Sequence, residues 1–343
     1  MPRLARAYSM LLLVALVAPV ALAQNAGSGP DSVAARRQKF KQALLANYDL
    51  SNPKIDIDKL FAPGVGKDGI PALTYPRRDK AASAGFPTPD GRVIAVEING
   101  EAVAYPLLIL DRHEIVNDRV GGVPIAATYC PLCDSVAVFK RTITDSDGTT
   151  RELEFGVSGF LYNSNVVMYE RSTNGLWSQV LMAAVTGPDA GRSLEYLPVR
   201  VMSFKQFLKD YPEGEVLSTK TGYGVGYTFN PYKRYFADPN YIFHKFKFDD
   251  RLPPKTLGVG ILAGDKAWFV EARSAFKGPV NVKTPKGDVV VVADEAGVRV
   301  VDQPKGVATI QTFYHSWSAF HPGTAIVPEP AKKNTDARPN AGG

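Results

Sequence analysis

With 343 residues, 45% of them hydrophobic, the chain can build a sizeable core in one large or two coupled domains. Its 40 Lys and Arg against 34 Asp and Glu give a formal charge of +6, but the basic residues are scattered, so no nucleic-acid footprint is visible. No run beyond the leader is long and apolar enough to predict a membrane helix.

The first 23 residues read as a secretory signal. Arg3 and Arg6 give a basic start, residues 10–17 form an apolar stretch too short to span a bilayer, and Ala21-Leu22-Ala23 is a small-residue cleavage site. Cleavage there starts the mature chain at Gln24, and a periplasmic or secreted protein with no stable membrane anchor is expected. In such a compartment an unprotected cysteine pair tends to be oxidised, so a reduced pair needs a metal or a dedicated reductant.

Residues 24–31 look like a flexible leader. Asp31 or Ser32 is placed to cap a helix running to about Tyr48, with Phe40, Leu44 and Tyr48 on one face. Pro53 ends that pattern, and the Pro, Gly and Ala of residues 61–90 predict an irregular wrap. Residues 24–91 thus form an N-terminal helix and wrap ahead of a β-rich core over residues 92–327, with a disordered tail over residues 328–343.

The β signal starts at Arg92. Residues 93–98 and 101–107 flank Asn99-Gly100, which predicts a type I′ hairpin because both turn positions need positive φ. Further strands are predicted over residues 123–129, 135–143, 151–157 and 165–171, with a turn at Asp147-Gly148. Ser203 caps a predicted short helix whose buried stripe is Phe204, Phe207 and Leu208. Residues 223–241 form a Gly- and Tyr-rich loop, and a second β block begins near Leu257. That block faintly repeats the first, hairpin followed by β pair, although two unrelated hairpins also look alike by chance.

The only cysteines stand together as Cys130-Pro131-Leu132-Cys133. A pair at that spacing chelates a soft metal, closes a small disulfide, or shuttles electrons. A thioredoxin-type pair opens a helix, whereas Ser135-Val136-Ala137-Val138-Phe139 prefers a strand. Strand, Cys-Pro-Leu-Cys, strand is the layout of a metal knuckle, but Asp134 replaces the left-handed glycine of rubredoxin and zinc ribbons, a departure that aspartate tolerates. No second Cys pair exists, so remaining ligands must be His, Met or carboxylate. His113, His244, His315 and His321 are the four histidines. Two Cys with two His would suit zinc, while Cys, His and a Met such as Met168 would suit copper. Each histidine alone is more often structural or exposed. Gly222-Tyr223-Gly224-Val225-Gly226 lacks the strand-to-helix context of a dinucleotide loop, and Gly156-Val157-Ser158-Gly159 is not a nucleophile elbow. Tyr223, Tyr227, Tyr232 and Tyr235 line a ligand groove or pack the loop onto a sheet, the second reading being the commoner.

Several linked strings carry a family resemblance. They are His113-Glu114-Ile115-Val116-Asn117-Asp118, Thr128-Tyr129-Cys130-Pro131-Leu132-Cys133, Phe155-Gly156-Val157-Ser158-Gly159, Leu161-Tyr162-Asn163-Ser164, Met168-Tyr169-Glu170-Arg171 and Ala319-Phe320-His321-Pro322. Thr221-Gly222-Tyr223 and Asn230-Pro231-Tyr232 add to them. Over roughly residues 92–327 the chain resembles the exported bacterial family known as domain of unknown function 3179. The resemblance places His113, Cys130 and His321 at matching positions and implies that Cys133 is not required throughout the family, which favours a metal site of one Cys and several His. Arg112 and Tyr314-His315-Ser316 depart from the family pattern, leaving His315 a weaker ligand candidate than His321.

The expected fold is β-rich α+β, of antiparallel sheets or half-barrels with a few short helices and a pseudo-repeat. The expected function is a site for a transition metal, copper or zinc, held by Cys130, Cys133, His113 and His321. Two alternatives stand beside it: an oxidoreductase working through the thiol pair or a metal, and a non-enzymatic module with a structural disulfide serving an unknown small molecule or protein partner.

Overall fold

The computed structural model describes residues 32–243, 246–295 and 297–329. The expected signal segment, the leader to residue 31, His244 and the tail beyond residue 329 lie outside the described residues.

Ser32 caps the Val33–Leu45 helix, its side chain accepting from the Ala35 amide at 3.1 Å. Leu44 and Leu45 are buried, and Phe40 and Tyr48 pack in the same apolar cluster. The wrap that follows carries two short strands, Leu73–Thr74 and Arg78–Lys80, each added to the edge of a larger sheet.

The protein is β-rich α+β, with antiparallel and mixed sheets and short helices. The central sheet runs, in spatial order, Leu73–Thr74, Ile115–Val120, Val123–Cys130, Ser135–Lys140, Ala308–Phe313, Leu257–Ala263, Lys266–Glu271 and Ala325–Val327, with Glu195–Leu197 also pairing to Ser135–Lys140. A five-stranded sheet is built on the Arg92–Ile98 and Glu101–Pro106 hairpin, whose Asn99 and Gly100 both take positive φ (51° and 83°) as a type I′ turn requires. A four-stranded sheet holds Phe155–Tyr162 and Asn165–Glu170, and a three-stranded meander holds Val280–Thr284, Gly287–Asp294 and Gly297–Asp302.

The two β blocks share an order of elements. Each is a hairpin, a short helix (Leu107–His113 or Ala272–Ala275) and a second antiparallel pair. Their leading hairpins nevertheless join different sheets, because the second is captured by the Ala308–Phe313 strand. Three elements depart from the sequence reading. Leu107–His113 and Tyr314–Phe320 are buried almost all round, so they show no amphipathic period to be read. The strand expected over residues 151–157 is broken at Leu153, whose carbonyl accepts from the buried Arg141 guanidinium at 2.6 Å instead of from a neighbouring strand.

Candidate functional site: a buried dithiol

Cys130 closes the Val123–Cys130 strand and pairs with Ser135, leaving Pro131 to Asp134 as the loop of a tight hairpin. The Cys133 amide donates to the Cys130 carbonyl at 3.1 Å, and Asp134 takes the left-handed conformation at φ 42°. Aspartate stands there for a second reason. Its carboxylate is buried and accepts two hydrogen bonds from Arg92 at 3.0 Å each and one from the Tyr129 hydroxyl at 2.9 Å. The knuckle is thereby pinned to the neighbouring sheet. From the other side, the Cys133 carbonyl accepts the Phe313 amide at 2.7 Å and the Leu132 carbonyl accepts the Tyr235 hydroxyl at 2.6 Å.

Both thiols are buried, 1% and 0% exposed, and the sulfurs are not joined in a disulfide. They face one backbone oxygen, that of Ser164, at 3.9 Å from Cys130 and 3.1 Å from Cys133. Ser164 belongs to the turn between Phe155–Tyr162 and Asn165–Glu170, where Asn163 and Ser164 both take positive φ. A buried polar network positions that turn. Asn165 donates to Ser135 and to Gln179, and Gln179 donates to Thr128 at 2.9 Å, tying the turn to both strands of the knuckle. Met168, on the same strand as Ser164's neighbour Asn165, packs in the apolar cluster that contains both cysteines.

Burial, with the hydrogen bond and charge of Cys133, pushes the Cys130 thiol well above its ordinary range, while the amides of Val166 and Cys133 act on it in the opposite sense. Carboxyls crowd the same region. Glu114 sits at φ 56° just past the Leu107–His113 helix; burial, then the charges of Cys130 and Asp111, drive its pKa up. Asp111 is 2% exposed and pushed up to about 7 by burial and the Asp134 charge, against the pull of Arg112 and Arg92. Tyr232 feels Glu114, Asp111 and Cys130, and Tyr235 feels both thiols, so the Tyr-rich loop lies over the dithiol. Lys255 fastens it: its ammonium donates to the carbonyls of Tyr235 and Asp238 and stands 3.4 Å from the Tyr235 ring centroid.

The structure does not gather the expected four-ligand set. Both ring nitrogens of His113 are engaged, one with the Pro71 carbonyl at 2.7 Å and the other with the Tyr227 hydroxyl at 2.6 Å. Tyr227 in turn meets Thr221 at 2.6 Å, so this histidine anchors the base of the loop. His321 ends the Tyr314–Phe320 helix with its ring 4.0 Å from that of Trp317, and its Nε2 has no hydrogen-bond partner among the described residues. His315 is fully buried among Phe246, Phe248 and Phe313. Burial lowers all three, His113 and His321 to about 4 and His315 to about 3. Among the described residues no group of three His, Cys, Asp or Glu is placed to hold a metal ion. Sequence reasoning missed Ser164, Glu114, Asp111 and Lys255. The adjacent non-glycine pair Asn163-Ser164 between two strands was the one local signal available for them.

Fold and site together define a β-rich protein with a buried, unbonded thiol pair under an aromatic loop. The chain matches, over residues 67–309, the family described as Protein of unknown function (DUF3179), and it belongs to that family. No curated protein and no solved structure matches it.

Proposed function

We propose that this is an exported protein that carries one copper(I) ion between the sulfurs of Cys130 and Cys133. The observation behind this reading is the pair itself: two adjacent, unbonded, buried thiols facing the same carbonyl oxygen. Zinc asks for four ligands in a tetrahedron, and among the described residues no third His, Cys, Asp or Glu joins the pair. Soft thiolates select copper(I), which two of them suffice to hold. Binding replaces two S–H bonds by two S–Cu bonds and releases two protons, so uptake strengthens as pH rises. The Val166 and Cys133 amides directed at Cys130 favour the thiolate that forms.

Thiol–disulfide exchange fits less well, because it needs an accessible thiolate of lowered pKa, and burial works against both conditions.

The test is an anaerobic titration of the reduced chain from Gln24 with copper(I) in competition with bathocuproine disulfonate. One ion per chain is expected, lost in Cys130→Ser and in Cys133→Ser and retained in His321→Ala. A folded wild-type chain that takes no copper(I) sinks the reading. So does a site that survives Cys133→Ser but not His321→Ala, which would restore a site of one Cys with histidine.

A further inference from the structure

Asn163 of the Asn163-Ser164 turn also lines a cleft away from the thiols' own contacts. The cleft, of about 840 Å³, opens between the Val33–Leu45 helix and the end of the Tyr314–Phe320 helix, within the size range of pockets that bury a small organic molecule. Its walls come from segments far apart in sequence, so it exists only in the folded chain.

One wall is a face of the Val33–Leu45 helix. Ala34, Arg37, Gln38 and Lys41 recur at the three- and four-residue spacing that puts side chains on one side of a helix. Leu44 and Leu45 of the same helix go into the core. The facing wall is aromatic, with Phe61, Tyr162, Phe246 and Phe248, the last two rings 5.7 Å apart. A helix turned with its small and cationic side toward aromatic rings makes a cleft with an apolar floor and a positive rim.

The charges decide which ligand fits. Arg37, Lys41, Lys59 and Lys247 line the cleft against the carboxylates Asp58 and Asp249. Asp249 is ion-paired with Arg251 at 2.5 Å and Lys59 with Asp56 at 3.3 Å, while Lys41 donates to the backbone carbonyl of Asp58 at 2.8 Å, which leaves the Asp58 carboxylate the one acidic group of the lining without an ion pair among the described residues. Arg37 and Lys247 have no carboxylate partner among the described residues and remain for a ligand. We propose that this cleft binds an elongated organic anion, its apolar body on the phenylalanines and its negative group between Arg37 and Lys247. The proposal stands apart from copper binding, since none of the cleft residues is a thiol.

The probe is 1-anilinonaphthalene-8-sulfonate, an aromatic anion whose fluorescence rises in apolar surroundings, titrated into the folded chain. One site per chain is expected, displaced by dodecanoate below its micelle concentration and not by dodecylamine of the same length. The double variant Arg37→Glu/Lys247→Glu, changed only at exposed positions, should weaken binding at least tenfold. Ala34→Trp, which fills the cleft from the helix side, should abolish it. Probe binding that is absent, unchanged in both variants, or displaced equally by the amine overturns the proposal.

Discussion

The Cys133 sulfur lies 3.1 Å from the carbonyl oxygen of Ser164, a contact made across 31 residues of chain between two hairpins that belong to different sheets. The Cys133 S–H donates to this backbone oxygen. The relationship ties the thiol pair to the turn of a neighbouring sheet. It also makes the Asn163-Ser164 turn part of the site, although neither side chain is a soft ligand.

Ser164 holds φ 66°, where a β-branched side chain is strained. Ser164→Val should destabilise the fold by roughly 1–3 kcal/mol in urea denaturation, the usual cost of a residue forced into that region. Ser164→Gly should keep the turn and the carbonyl where they are, with thiol labelling by Ellman's reagent unchanged. A glycine variant that labels much faster than wild type would show that the serine side chain, not the backbone, shields the pair.

Lys255 closes the loop over the thiols through two carbonyls and one ring. Lys255→Met keeps the length of the side chain and removes the ammonium, which should open the loop locally. Labelling of Cys130 and Cys133 is expected to accelerate at least fivefold, by more than the change in global stability accounts for. Equal labelling rates in the two proteins would place the barrier elsewhere.

Asp111 has its folded pKa raised from the ordinary carboxylate value to about 7 by burial. Between roughly pH 4 and pH 7 the folded state then holds a proton that the unfolded chain has released, so this group subtracts stability as pH rises. Asp111→Asn abolishes that dependence. The variant's advantage over wild type should grow from about pH 4 to about pH 7, by an amount on the order of a few kcal/mol, and level off above. Urea midpoints measured at pH 5, 6, 7 and 8 check it, and a constant gap would mean that Asp111 is ionised throughout.

His113→Phe separates anchoring from ligation. Replacement leaves the Pro71 carbonyl without its partner and removes the imidazole from Tyr227, which should cost roughly 1–3 kcal/mol. Copper(I) stoichiometry should stay at one per chain. Loss of copper from a folded His113→Phe protein would return this histidine to the ligand set.

What the sequence determined by itself was local. Ser32 and Ser203 cap their helices because a short hydroxyl reaches an amide within one turn. Asn99-Gly100 turns because it tolerates positive φ, and the β-branched run after Cys133 forbids the helix of a redox motif. Asp134 was legible as the left-handed residue of the knuckle, and Cys130 with Cys133 as the chemically distinctive pair, since four residues of chain hold them together in any fold. Tertiary structure decided the rest. His113 and His321, candidates for the same ion on residue type alone, are engaged by Pro71 and Tyr227 in one case and packed at a tilt against Trp317 in the other. Ser164, Glu114 and Lys255 reach the dithiol region from distant segments, brought there by sheet pairing and loop closure that no local pattern encodes. Side-chain chemistry is a property of the residue; its partners, its burial and hence its proton are properties of everything packed around it.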